Sequence, residues 1–341
     1  MRFDALGVNG QKIARTPAVD TLALSPQGRG RDDRRSGEDE GVRASVPLKN
    51  RHGPARPGMT VKNIAATIYQ SDFPGVPMPR LTDKMIVEKD GAIGWMIFNN
   101  PERMNAVSME MWEAVPSIMQ YLHEDPAIRV IVLKGAGDKA FVAGADISQF
   151  EKSRSSVEGV DAYENATSAA FDCIAASKLP TIAMIDGYCI GGGLGIALSC
   201  DMRIASQGST FGIPAAKLGL AYPPMGTKRL VNIVGPAYAK EIFFTARRFT
   251  HEEALAMGLI NRVTSREALE TLTRDTCAMI AENAPMTIAA EKRIVDECVK
   301  PAENFDAALC DRLAAACFAS DDYKEGRAAF MAKRRPVFNG K

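Results

Sequence analysis

GGGLG, residues 191–195, reads as a glycine-rich turn that opens a helix, and AGADI, residues 143–147, reads as a second turn of the same kind. A turn that opens a helix leaves several N–H groups without intrahelical partners, and the helix dipole adds positive potential there. Such a turn can hold an anion. Two N–H groups converging from separate turns make an oxyanion hole, and losing one donor from such a hole typically costs about 2.7–4 kcal/mol of transition-state stabilisation. The acid–base side chains that usually accompany one are missing beside both turns.

Outward from these turns, short apolar runs alternate with helical patterns. MIVEKDGAIGWMIFNN (85–100) reads as a hairpin around Asp90-Gly91, a strong turn dipeptide. In SMEMWEAVPSIMQYLHED (108–125), Met109, Trp112, Val115, Met119 and Leu122 recur at helical spacing behind Ser108 as N-cap. RVIVLKG (129–135) and TIAMIDG (181–187) read as buried strands. The alternation predicts an α/β protein, a mixed and spirally wound sheet with helices packed outside it. After about residue 250 strands are expected to stop, and five helical patterns follow within residues 251–335.

The first 58 residues differ from the rest. LSPQGRGRDDRRSGEDEGVRA (24–44) has no aromatic residue and no sustained apolar period, so it is expected to be disordered. Acidic residues at 32–33 and 38–40 argue against a transit peptide, and no apolar h-region marks a secretory signal. A start at Met59 is the plainer explanation of the extension. The organisation expected is 1–58 as extension, 59–250 as the α/β core and 251–341 as a helical lobe.

Composition narrows the classes. With 46% hydrophobic and 24% charged residues in 341, the chain has enough apolar material for one large or two modest cores. Its formal charge of +1, with basic and acidic residues interspersed, argues against a nucleic-acid partner. No apolar run approaches the ~20 residues of a membrane span, so no membrane partner is expected. The seven cysteines (173, 189, 200, 277, 298, 310 and 317) include no CxxC pair and suit reduced thiols in a cytoplasmic protein. Cys189 adjoins the glycine turn, but no histidine lies between His123 and His251 to activate it, so packing is its expected role. Three isolated histidines give no metal site.

Five ordered blocks carry a resemblance: NPERMNAVS (100–108), KAFVAGADI (139–147), IDGYCIGGGLGIALSCDMRIAS (185–206), FGIPAAKLGL (211–220) and MGLINRV (257–263). Together they resemble the crotonase superfamily, the enoyl-CoA hydratase/isomerase family, in order and near its spacing. The resemblance implies a crotonase-type ββα spiral core and a C-terminal helical oligomerisation lobe building a homotrimer or dimer of trimers. It implies a coenzyme A thioester as substrate, with no separate cofactor. It places the oxyanion-hole N–H groups at Ala145 and Gly192. Ala143, Gly144, Asp146 and Ile147, with Arg103, Met104 and Ala106, match segments that contact CoA largely through backbone. Arg103 can also pair with a phosphate. Phe330 and Lys333 match a C-terminal helix that approaches the adenine, often from a neighbouring subunit.

The departures from the family bear on the chemistry. Hydratases of the family carry one glutamate two residues after the glycine triplet and another after the FGxP motif, where this chain has Gly195 and Ala215. No Asp or Glu occurs between Asp201 and Glu241 to replace them, and Asp201 reads as a structural cap. The nucleophilic aspartate of the related dehalogenase branch falls at about Pro223. Tyr222, on the loop that lines the acyl end in relatives, is the local candidate: a phenol can donate a proton, but its ordinary pKa near 10 makes it a poor base. Packing beside Pro223 and Pro224 is the competing account of it. Glu164 and Tyr163, on a helix that relatives bring over the acyl chain, come second. Three readings stay open: an enoyl-CoA hydratase/isomerase-type enzyme, a malonyl-type acyl-CoA decarboxylase, and a non-catalytic acyl-CoA-binding subunit.

Overall fold

Successive strands of the chain leave for two different sheets. In the computed structural model, which describes residues 82–146 and 157–341, β1 (Met85–Asp90) and β2 (Ile93–Phe98) form the expected antiparallel hairpin. Gly91, at φ 57°, turns it. Helix α1 (Met109–Glu124) follows. Three strand–strand–helix turns come next: β3 (Val130–Gly135), β4 (Ala140–Val142) and α2 (Val157–Ala175); β5 (Thr181–Ile185), β6 (Tyr188–Ile190) and α3 (Gly192–Ser199); β7 (Met202–Ser206), β8 (Thr210–Gly212) and α4 (Pro224–Thr245). In each turn the first strand joins one sheet and the second strand the other, which is the ββα spiral. The larger sheet runs β1-β2-β3-β5-β7-β10 and the smaller β4-β6-β8-β9, where β9 is Phe249–Thr250 and β10 is Arg262–Thr264. The extension expected over 1–58 lies outside the described residues.

Both faces of the larger sheet are covered at its centre, and the inner strands β2, β3 and β5 are accordingly apolar at most positions. Trp95, Val132 and Ile182 point to one face, where Leu269 and Cys277 of α6 (Arg266–Ala281) meet them. Met96, Phe98, Ile131 and Leu133 alternate to the other face and join α1 and α3 in the main core. From Gly193 to Ser199, α3 is buried on every side, so it is a core helix rather than an amphipathic one. Arg203, itself buried, donates to the carbonyls of Ala197 and Cys200 at its C-terminal end, where a cation is favoured.

Two expectations need correction. Strands do not stop at residue 250: beyond helix α5 (His251–Ala256), β10 pairs in parallel with β7, Arg262 opposite Ile204 and Thr264 opposite Ser206. Three residues with one exposed end carry too little alternation for a periodicity reading to detect. The purely helical part comprises α7 (Pro285–Cys298), α8 (Ala307–Ala319) and α9 (Asp321–Met331). Asp201 is not a helix cap either. Its carboxylate accepts from the backbone N–H and hydroxyl of Thr181 and pairs with Lys292 at 2.8 Å, tying the start of β5 to α7.

His123, near the end of α1, shares a hydrogen bond with Ser177 Oγ, and burial, with Lys178 and Lys292 nearby, holds its pKa down at about 4. Because that lies below the ordinary histidine value, the unfolded chain takes up the proton first as pH falls. The contribution of neutral His123 is therefore complete above about pH 6.5 and is lost progressively toward pH 4. Between pH 7 and pH 5 the wild type should lose about 2 kcal/mol more unfolding free energy than His123→Gln, measured by denaturant titration. Parallel losses in the two proteins would contradict this.

Candidate active site

The two glycine turns are brought together by the ends of β4 and β6. Beyond β4 the chain stays extended alongside residues 104–107: Ala143 N–H donates to Met104, Val107 N–H to Gly144, and Asp146 N–H to Val107. Successive N–H groups of an extended segment face opposite ways. The N–H of Ala145 therefore faces away from this pairing and has no acceptor among the described residues. Asn105 holds the neighbouring loop in place, donating to the carbonyls of Ala136 and Ala140 while its own oxygen accepts from Asn100 N–H.

On the other side, Gly191 takes φ 55° and anchors its N–H on Gly212 at 2.8 Å. A Cβ at Gly193 would fall 2.0 Å from the Val142 carbonyl, so only glycine lets α3 start this close to β4. The N–H of Gly192, first in the helix, has no intrahelical acceptor. A Cβ on Gly192 would stand 3.7 Å from Ala145 N, which places the two unpaired N–H groups on one small volume.

That volume opens into a cavity of about 250 Å³. Its walls include Trp112, Phe171, Ala215 and Tyr222, and among the described lining residues Glu164 is the sole carboxylate and no Lys, Arg or His is present. Trp112 and Phe171 meet edge to face with centroids 5.4 Å apart. The tips of Phe171 and Tyr222 fill the space above Gly195: a Cβ there would lie 2.8 Å from each. Position 195 thus carries no proton-transfer group and has no room for one as it stands. Ala215, in the 3₁₀ turn Pro214–Leu218, is equally inert.

Tyr222 packs on the core and also lines the cavity. Its hydroxyl lies 3.4 Å from the Gly191 carbonyl. Burial, with Cys189 beside it, raises its pKa well above the ordinary phenol value. It is a protonated donor at neutral pH. Glu164 is exposed on α2, and Tyr163 is buried beside it. Cys189 is buried with its thiol pushed up by desolvation, and Cys200 likewise to about 12, so neither is a thiolate.

The remaining candidates are more scattered. Arg103 pairs with Asp146 at 3.1 Å, Met104 sits exposed at φ 52°, and Ala106 is half-buried beside them. Ala143 and Gly144 line the cavity; Ile147 lies outside the described residues. Phe330, 82% exposed on α9, and Lys333 just beyond it do not line this cavity. Phe330 borders a separate apolar cleft between α7, α8 and α9. Among the described residues no three His, Cys, Asp or Glu side chains gather as a metal would require. The sequence reading missed the pinning of the loop by Asn105 and the aromatic wall of Trp112 and Phe171. Trp112 showed only as one more apolar position on a helix.

Residues 88–341 match the enoyl-CoA hydratase/isomerase family. A short-chain-enoyl-CoA hydratase of Clostridium acetobutylicum is 32% identical over 255 residues, covering 74% of this chain and 96% of that protein. A crotonyl-CoA hydratase of Syntrophomonas wolfei is 32% identical, covering 76% and 99%. Among solved structures, an enoyl-CoA hydratase/carnithine racemase from Magnetospirillum magneticum superposes with a TM-score of 0.73 at 34% identity, covering 76% of this chain and 97% of that one.

The crowding over Gly195 has a measurable consequence. Gly195→Ala should cost about 1–3 kcal/mol of stability through overpacking against Phe171 and Tyr222. Gly195→Ala combined with Phe171→Leu and Tyr222→Phe should recover part of it, read by thermal or denaturant unfolding. A neutral Gly195→Ala would show that the aromatic tips do not occupy this space.

Proposed function

The chain belongs to the enoyl-CoA hydratase/isomerase family, and on that footing we propose that it binds an acyl-CoA and stabilises the enolate oxygen of its thioester with the N–H groups of Ala145 and Gly192. The observation that carries this is the proximity of two backbone donors, neither paired within the described chain, beside a largely apolar cavity. Fixed donors in a water-poor site need no reorganisation as charge develops on the oxygen. Residues 143–147 and Arg103, Met104 and Ala106 run along the CoA, with Arg103 exchanging its Asp146 partner for a phosphate. The exposed Phe330 and Met331 on α9 support a trimer contact through the helical lobe, with Phe330 and Lys333 reaching a neighbour's adenine.

The chemistry beyond that step follows from what lines the cavity. Hydration of a 2-enoyl thioester needs a base to activate water and an acid to deliver a proton, each commonly contributing 10²–10⁴-fold. Gly195 and Ala215 supply neither. Glu164 at the exposed rim and a protonated Tyr222 are what remain. Hydration is therefore expected to be slow.

A lining whose sole carboxylate is the exposed Glu164 favours a second reading, decarboxylation of a malonyl-type thioester. The bond from Cα to the carboxylate breaks and carbon dioxide leaves. The electron pair passes into the enolate, whose oxygen rests on Ala145 and Gly192, and Cα then takes a proton from Tyr222. Solvent restores the phenol. No base is needed.

Purified protein assayed against enoyl-, malonyl- and methylmalonyl-CoA should hydrate crotonyl-CoA far below the roughly 10 s⁻¹ of an ordinary enzyme. Hydration at or above that rate would refute the inference from Gly195 and Ala215, and binding without turnover of any ester would favour a non-catalytic subunit. Whichever ester turns over, Gly192→Val, whose side chain would stand beside Ala145 N and block the approach of the carbonyl, should collapse kcat/KM with the circular dichroism spectrum unchanged. Full activity in that variant would remove Gly192 from the site.

A further inference from the structure

Helix α2 supplies one wall of the cavity. Tyr163, Glu164, Thr167 and Phe171 all line it, at spacings of three and four residues that put them on one face of the helix. At 1.5 Å per residue, that face runs about 12 Å from Tyr163 to Phe171. Glu164, toward one end of it, is exposed, and Phe171, at the other, is half-buried.

Phe171 is held from three sides. Its ring meets Trp112 of α1 edge to face, and its Cζ lies 2.8 Å from where a Cβ on Gly195 of α3 would stand. The adjacent Asp172 pairs with Arg229 of α4 at 2.6 Å, which ties this part of α2 down. Gly192 and Gly195 are three residues apart on α3, so about 4.5 Å along the helix axis separates the proposed oxyanion hole from the point that Phe171 crowds. The Tyr222 hydroxyl crowds the same point, donating to the Gly191 carbonyl at 3.4 Å, and the Tyr222 ring is backed by Phe243 with centroids 5.5 Å apart.

An acyl chain whose carbonyl rests on Ala145 and Gly192 therefore meets packed aromatic rings within about one helical turn of the hole. The cavity, at about 250 Å³, is smaller than the roughly 300–1,000 Å³ of pockets that enclose drug-sized ligands. Leu218 and Leu220, which also line it, are 54% and 42% exposed, so methylenes laid over them stay in contact with water and gain little. We propose that Phe171 is a specificity-determining residue that stops the acyl chain, so that the preferred ligands are short-chain acyl-CoA esters, of butyryl rather than octanoyl length. This rests on the acyl-CoA reading of the site.

Calorimetric titration of the full chain with acetyl-, butyryl-, hexanoyl- and octanoyl-CoA measures the limit. In the wild type, affinity should rise about fourfold per methylene from acetyl to butyryl and then level off or fall. In Phe171→Ala, butyryl-CoA loses the ring it packs on and should weaken severalfold, while octanoyl-CoA should tighten about tenfold or more. Opposite signs separate a chain stop from damage to the fold, which weakens both. Should Phe171→Ala misfold, Phe171→Leu, which keeps an apolar side chain of shorter reach, should shift the preference to hexanoyl-CoA. A wild-type affinity that keeps climbing through octanoyl-CoA, as a chain running out over Leu218 and Leu220 would give, would overturn the role of Phe171 and leave the acyl-CoA reading intact. So would a length profile that the Phe171 variant leaves unchanged or weakens uniformly. Failure of all four esters to bind the wild type would overturn that reading and the inference with it.

Discussion

The first turn of α3 lies so close to the end of β4 that a side chain at Gly193 would strike the Val142 carbonyl. The rest of the site depends on that approach. It sets the Gly192 N–H opposite the Ala145 N–H, and it requires α3 to be buried all round because sheet and neighbouring helices enclose it. Each supporting contact holds one side of the approach. Asn105 and the pairing of 104–107 with 143–146 fix the Ala145 side, while Gly191 on Gly212 and Arg203 on the far end of α3 fix the other.

Much of this was legible in the sequence because it is local. A glycine triplet, an Asp-Gly hairpin and apolar runs of strand length each act over a few residues and sufficed for an α/β alternation, while the ββα spiral was implied by the family resemblance of the five blocks. What was not legible depends on residues distant in sequence. Phe171 on α2 and Tyr222 before α4 meet over Gly195 only after three ββα turns have wound, and no spacing rule announces that meeting. The Trp112 period placed it correctly in the core. That its ring meets Phe171 edge to face is a property of the surrounding packing, which a helical period does not contain. β10 escaped notice because three residues hold less pattern than noise.

The chemistry follows from the same packing. Where a carboxylate pair would move protons, the chain has a glycine roofed by two aromatic rings and an alanine in a 3₁₀ turn. The donors that remain, two backbone amides and a buried phenol, stabilise negative charge and do not remove protons. Such a cavity suits reactions in which the enolate arises by loss of a group rather than by attack of a base.

The direct measure of the central claim is the carbonyl stretch of a ¹³C-labelled thioester, recorded by isotope-edited infrared difference spectroscopy as an acyl-CoA binds the wild-type protein. Two amide donors polarise the carbonyl, so the band should move to lower frequency on binding and move back toward its solution position in Gly192→Val, whose side chain would hold the carbonyl off both donors. A bound thioester whose carbonyl band stays at its solution frequency would contradict the account.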